Sequence, residues 1–253
     1  MVQSVDGKTL AGMLIHASAC LNAEKQKINE LNVFPVPDGD TGTNMSLTIS
    51  TAAAELRQKK PTTVEKAAAV CASAMLRGAR GNSGVILSLI FRGFSRAMKD
   101  KTEMNGIDLA DALNAGVIAA YKAVMKPAEG TVLTVSRLAG ERAGRAAEEN
   151  SAFEYVLESS IERAREALAD TINQNPVLKK AGVVDAGGKG YMVILGAILS
   201  SLRGEVVSPD SAVEVKDEGE SPFDVFDTED ITFAFDTVFI VRKTDPDVDL
   251  TSY

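Results

Sequence analysis

A single histidine, two cysteines and no tryptophan occur in 253 residues, and each scarcity removes a class of chemistry. A Ser-His-Asp or Cys-His nucleophile, a histidine-rich zinc site or a phosphohistidine relay would have to run through His16, which has no motif around it. His16 falls inside the apolar periodicity of the first helix and reads as a packing residue. Cys20 and Cys71 sit among alanines in helical patterns, so packed thiols are expected rather than a disulfide or a metal pair. Positive charge is also short. With 27 Lys and Arg against 35 Asp and Glu, the formal net charge of −8 argues against general affinity for nucleic acid or anionic membranes. No apolar run is long enough to cross a bilayer, and Met1 to Leu10 lacks the basic-then-apolar order of a signal peptide. No membrane insertion is expected, and the expected compartment is cytoplasmic.

What is present is mostly helical. The chain is 45% hydrophobic, and up to about residue 203 its apolar residues return every three or four positions between short glycine-marked loops. The pattern predicts helices over Asp6 to Glu30, Asn44 to Gln58, Thr63 to Leu76, Asn82 to Met98, Gly106 to Val124, Thr131 to Glu149, Ala152 to Asn173 and Gly187 to Leu202. Residues 204–230 differ: acidic side chains from Glu205 to Asp230 face only Lys216, which reads as a solvated linker. Within 231–253, Phe233, Phe235, Thr237, Phe239 and Val241 alternate with their neighbours as a strand does. One strand cannot form a sheet alone, so the expectation is the start of a truncated β-containing domain, or pairing with another copy.

The loop Leu31 to Met45 holds two carboxylates one residue apart, Asp38 and Asp40, before a predicted helix. Pro35 and Pro37 keep the approach extended, and Gly39 and Gly42 permit the turns that follow. Thr43 or Asn44 can cap the helix, whose amides and positive dipole end would face the loop. An EF-hand starting at Asp38 fails, because Thr43 and Ile49 stand where glycine and glutamate are required. Either a plain acidic turn or an Mg²⁺ site fits the isolated pair. The flanking prolines, glycines and Asn44 favour Mg²⁺, which takes one or two carboxylates plus phosphate oxygens.

Three further loops fall at predicted helix starts. In Gly78 to Gly84, Asn82 or Ser83 can cap the helix and meet a phosphate oxygen, or simply close a helix–helix turn. The stretch Gly182 to Gly190 fails the P-loop pattern, since Gly188 stands where lysine belongs and no serine or threonine follows Lys189. In Lys126 to Thr134, Pro127 stops one helix and Thr131 can start the next.

On these four motifs, which span residues 1 to about 203, the chain resembles the ATP-binding component of bacterial fatty acid kinase, whose amino-terminal domain is similar to the L subunit of dihydroxyacetone kinase. The resemblance implies an all-α, eight-helix antiparallel barrel that binds ATP or ADP at one mouth, with two Mg²⁺ ions bridging phosphates to acidic side chains. Asp38 and Asp40 match the family's metal-binding, catalytic aspartates, and Asn32 stands nearest the third metal-ligand position. Thr41, Gly42, Thr43 and Asn44 would meet phosphates, with Asn82, Ser83 and Gly84 opposite. Gly130, Thr131, Thr134, Asp185, Ala186 and Gly187 would shape the ribose and adenine end. Where the family's middle domain has a metal-binding cysteine, this chain has Asp236. The implied partner is a protein that presents a fatty acid carboxylate, and a homodimer is left open. A carboxylate is ionised at pH 7 and needs no general base, which suits a chain with one histidine. The competing readings are a small-hydroxyketone kinase subunit and a regulatory module that keeps ADP bound.

Overall fold

The computed structural model describes residues 1–205. The expected linker and strand at 204–230 and 231–253, and the Asp236 position, lie outside the described residues but for Gly204 and Glu205. In chain order the elements are β1 (Ser4–Asp6), α1 (Gly7–Glu30), α2 (Thr41–Lys59), α3 (Val64–Gly78), α4 (Gly81–Ala97), β2 (Glu103–Asn105), α5 (Gly106–Ala123), α6 (Val132–Glu149), α7 (Phe153–Gln174), α8 (Pro176–Ala181) and α9 (Ala186–Leu202). The eight long helices are those the periodicity predicts. Each of α1 to α7 packs on the next, α7 packs on α9, and α9 returns to α1, which closes the barrel. Short connections reverse the chain at each step, so neighbours run antiparallel. Alanine makes the close approach possible: Ala139, Ala143, Ala146 and Ala164 are fully buried where α6 meets α7.

Up-and-down order puts the starts of α1, α3, α5 and α7 at one end and those of α2, α4, α6 and α9 at the other. The first end is tied shut. β1 and β2 pair antiparallel, Val5 opposite Met104. Backbone bonds join Gly7 N–H to Thr62 O (3.2 Å), Val64 N–H to Thr102 O (3.0 Å), Gly106 N–H to Ser151 O (2.8 Å) and Phe153 N–H to Gln3 O (3.1 Å). Asp6, Thr63 and Asn105 cap α1, α3 and α5, the last in a reciprocal box with Asp108.

The structure departs from the sequence reading in several places. β1 and β2 are three residues each, too short to show a period, and pair only across a long sequence gap. A short helix, α8, sits between α7 and α9, with Asn175 as cap and Pro176 in its first turn. α2 starts at Thr41 and α4 at Gly81, ahead of the expected caps, so Asn44, Asn82 and Ser83 lie within the first turn. His16 is buried and its Nε2 lies 3.2 Å from Ser200 Oγ on α9, as a packing residue should. Both cysteines are free; burial pushes the Cys71 thiol up to about 12.

Candidate functional site

At the second end lies a cavity of about 540 Å³, lined by the loop before α2, the first turns of α2, α4, α6 and α9, and the α5–α6 loop. Asn32, Asp38, Asp40, Thr41, Asn44, Asn82, Ser83, Thr131, Asp185 and Gly187 line it. These residues come from four separate loops.

Asp38 and Asp40 face each other at the rim. Partial burial in the cleft, then the negative charge and hydrogen bond of Asp40, push the Asp38 carboxyl above the usual carboxylate range. Two oxygen donors that repel each other in this way suit a hard divalent cation, and the donor set fits Mg²⁺. Among the described residues, no group of three or more His, Cys, Asp or Glu side chains gathers to hold a metal. The remaining ligands would therefore have to be water or phosphate. Asn44 Nδ2 donates to Asp40 Oδ2 at 2.6 Å and fixes that carboxylate against α2.

Asn32 has another task in this geometry. Its buried Oδ1 accepts the Thr41 amide (2.9 Å) and the Thr41 hydroxyl, and its Nδ2 donates to Val36 O (2.8 Å). Both lone pairs of the amide oxygen are engaged, so Asn32 braces the aspartate loop onto α2 and holds no free pair for a metal. Thr43 is bolted likewise: its amide donates to Asn29 Oδ1 and its hydroxyl accepts from Asn29 Nδ2, both at 3.0 Å. Gly42 lets α2 cross α1, because a Cβ there would lie 2.1 Å from Lys25 O. The start of α2 is thus largely used in packing.

The start of α4 is open. It has no side-chain cap, and no acceptor among the described residues takes the amides of Gly81, Asn82 and Ser83. Three unmet donors at a helix N-terminus are able to meet an anion. Gly81 (φ +55°) turns the chain there, and a Cβ on it would strike Asn44 Nδ2. Gly84 lies behind, against Thr48 Oγ1. Thr48 accepts the Arg80 amide (3.2 Å) and donates to Asn44 O (2.7 Å), which locks α4 to α2 beside the aspartates.

Across the mouth, α6 and α9 are capped by Thr131 and Asp185. The buried Asp185 carboxyl accepts the Gly188 amide (2.7 Å), and burial pushes it up to about 6 against the lowering effect of the Gly188 and Val132 amides. Gly130 donates to the buried Thr134 hydroxyl (2.8 Å), which donates to Glu129 (2.8 Å). Gly130, Thr134 and the buried Ala186 therefore support the wall rather than line it. Sequence reasoning missed the apolar wall of Phe34, Val85, Ile86, Leu89, Val124 and Leu133, and it missed Lys126. Helical periodicity assigns such apolar residues to the core, and only the exposure of Val36, Val85 and Met125 betrays them.

No described helix is long and apolar enough to cross a membrane. By fold, the chain is similar to the dihydroxyacetone kinase of C. freundii solved in complex with AMP-PNP and Mg²⁺ (TM-score 0.60, 19% identity, covering 79% of this chain and 35% of that one). The native form of that enzyme gives a TM-score of 0.54 at 19% identity, with 79% and 36% covered. By sequence, the chain is 42% identical to Protein YloV of Bacillus subtilis over 95% of its own length and 45% of YloV. An uncharacterized protein of Staphylococcus saprophyticus is 40% identical over 96% of this chain and 45% of its own. The chain thus spans about half the length of these curated relatives. Residues 35–200 match the DAK2 domain, and the chain belongs to that family.

Proposed function

We propose that this chain is the ATP- and Mg²⁺-binding domain of a kinase subunit. The observation that carries the reading is the juxtaposition of the Asp38–Asp40 pair with the uncapped start of α4, on a cavity of about 540 Å³ whose lining also holds Phe34, Ile86, Leu89, Val124 and Leu133. The AMP-PNP and Mg²⁺ of the C. freundii enzyme support it. Asp38 and Asp40 would hold the metal, which when bound neutralises phosphate charge. The Gly81, Asn82 and Ser83 amides would donate hydrogen bonds to phosphate oxygens without reorganising. Asn32, Asn44 and Thr48 keep these groups in register, and the apolar wall takes the base and excludes water. This division leaves positioning and electrostatics to the chain, which is most of what phosphoryl transfer asks of a protein.

The acceptor we propose is the carboxylate of a fatty acid presented by a separate carrier protein, with an acyl phosphate as product. No histidine lines the cavity, and an ionised carboxylate needs none. Exposed Val36, Val85 and Met125 around the mouth offer an apolar rim for the carrier to cover. The likeness to dihydroxyacetone kinase favours a second reading, a hydroxyketone acceptor activated by a partner's own base. The full-length protein, its carrier and terminally labelled ATP decide between them. Label in a hydroxylamine-sensitive acyl phosphate is expected; label on a triose would establish the second reading, and tight ADP without transfer a regulatory module.

A further inference from the structure

The nucleotide reading leaves the outer face of α1 and α9 without a role. Residues 9–23 of α1 and 190–202 of α9 contain no Asp, Glu, Lys or Arg. The two helices pack side by side and run antiparallel, with His16 Nε2 3.2 Å from Ser200 Oγ, so one turn further along Cys20 stands level with Gly196. Ile15 and Cys20 on α1, and Met192, Val193 and Leu199 on α9, pack on the core and stay only half-buried. A helix that faces water ordinarily carries charge on its outer side, and these two carry none over most of their length. Two glycines sharpen the point. A Cβ on Gly12 or Gly196 would meet nothing within 4 Å, whereas Gly42, Gly93, Gly116 and Gly190 each lie against a neighbour that a Cβ would strike. Glycine weakens a helix interior, and nothing within residues 1–205 requires it at these two places. Bare backbone on an uncharged face admits the close approach of another segment.

The chain itself supplies that segment. It leaves α9 on this face: Gly204 (φ +77°) turns it off the helix axis, and the Glu205 amide donates to Ser200 O (2.9 Å). Arg203, which donates to Glu154 and Glu158 of α7 (both 3.0 Å), fixes the point of exit. Further on, Phe233, Phe235, Thr237, Phe239 and Val241 alternate with their neighbours and put three aromatic rings in one period-two set. Residues 206–230 between them can extend to about 80 Å, against about 26 Å for the length of α9, so the set can reach any part of the face. A tether of that length also keeps its local concentration high. We propose that residues 231–253 dock on the uncharged α1–α9 face, with the apolar set of Phe233, Phe235 and Phe239 covering Gly12, Cys20 and Gly196. The contact runs along the side wall of the barrel and leaves the mouth open, and it stands whether or not the cavity binds nucleotide.

Cys20 is a built-in probe of this face, since the other cysteine, Cys71, is fully buried. The test is the rate of Cys20 alkylation by N-ethylmaleimide, read by peptide mass spectrometry, in the full 253-residue chain, in the double variant Phe235→Asp/Phe239→Asp and in Gly12→Gln. Slow labelling of the parent chain is expected, with an acceleration of about tenfold or more in the double variant. Cys71 should stay unlabelled in both, which shows that the barrel is folded. Gly12→Gln places a long side chain under the docked segment and should accelerate Cys20 labelling as well. Equal rates in all three chains overturn the proposal. So does a gain of about 2 °C in the Tm of Gly12→Gln with labelling unchanged, which is how a free helix position behaves. Labelling of the parent chain that speeds up on dilution and ignores the Phe substitutions assigns the face to a second copy and also overturns it.

Discussion

At the end where α1, α3, α5 and α7 begin, three of the four helix starts carry their own side-chain caps, and backbone bonds tie every connection to a neighbour. At the other end, α2 and α4 begin without a side-chain cap, two carboxylates stand together, and a third is buried at a cost. Both ends are made of the same helices. The difference is where polar groups find partners: inside the chain at the first end, and at the second only in part. Stability concentrated at one mouth allows the other to keep donors and charges unmet, which is what ligand binding requires.

The comparison is broken most sharply at the aspartates. Asp38→Asn and Asp40→Asn should each weaken Mg²⁺-dependent nucleotide binding by about a hundredfold or more, with far-UV circular dichroism and melting temperature nearly unchanged. Removing one member of a repelling pair relieves strain at an open rim and takes nothing from the core. The converse change is Gly7→Ala at the tied end, where a Cβ would lie 2.2 Å from Thr63 O and 2.5 Å from Thr63 N. Backbone cannot yield as a side chain can, so a loss of about 3 kcal/mol is expected, visible as a fall of roughly 10 °C in Tm, with nucleotide affinity per folded molecule unchanged. Each end then fails in its own currency.

A smaller effect belongs to Asp185. Its carboxyl stands at about 6 in the fold against an ordinary 3.8, because burial disfavours the charge. Between those values the folded chain holds a proton that the unfolded chain has released, so this group's contribution to stability is greatest below pH 4 and falls as pH rises through 6. Asp185→Asn keeps an acceptor for the Gly188 amide and removes the charge. It should stabilise by about 1 to 2 kcal/mol at pH 7 and not at pH 4, as read by urea unfolding at the two pH values.

How much of this was written plainly in the chain differs by scale. The eight long helices follow from periodicity, because an apolar stripe must be buried against neighbours whatever the ring's final shape. The four loops could be placed near one another through the family resemblance, and the cavity brings residues from all of them together. Which loop residue does what was less legible. Asn32, Gly42, Thr43 and Gly84 sit inside the motifs yet act as braces and close contacts, because a sequence lists a loop's residues without saying which way each faces. Lys126 and the apolar wall escaped for the opposite reason, since nothing in their spacing separates a cavity wall from a core. The helix starts of α2 and α4 slipped by three and one residues because the expected caps turned out to be first-turn residues instead.

In the proposed function the untied mouth binds nucleotide through a metal held by Asp38 and Asp40. The most direct measurement is a calorimetric titration of AMP-PNP into the chain, run once with Mg²⁺ and once with EDTA. Saturable one-to-one binding is expected with Mg²⁺, and its disappearance in EDTA. Equal binding in both, or none in either, would contradict it.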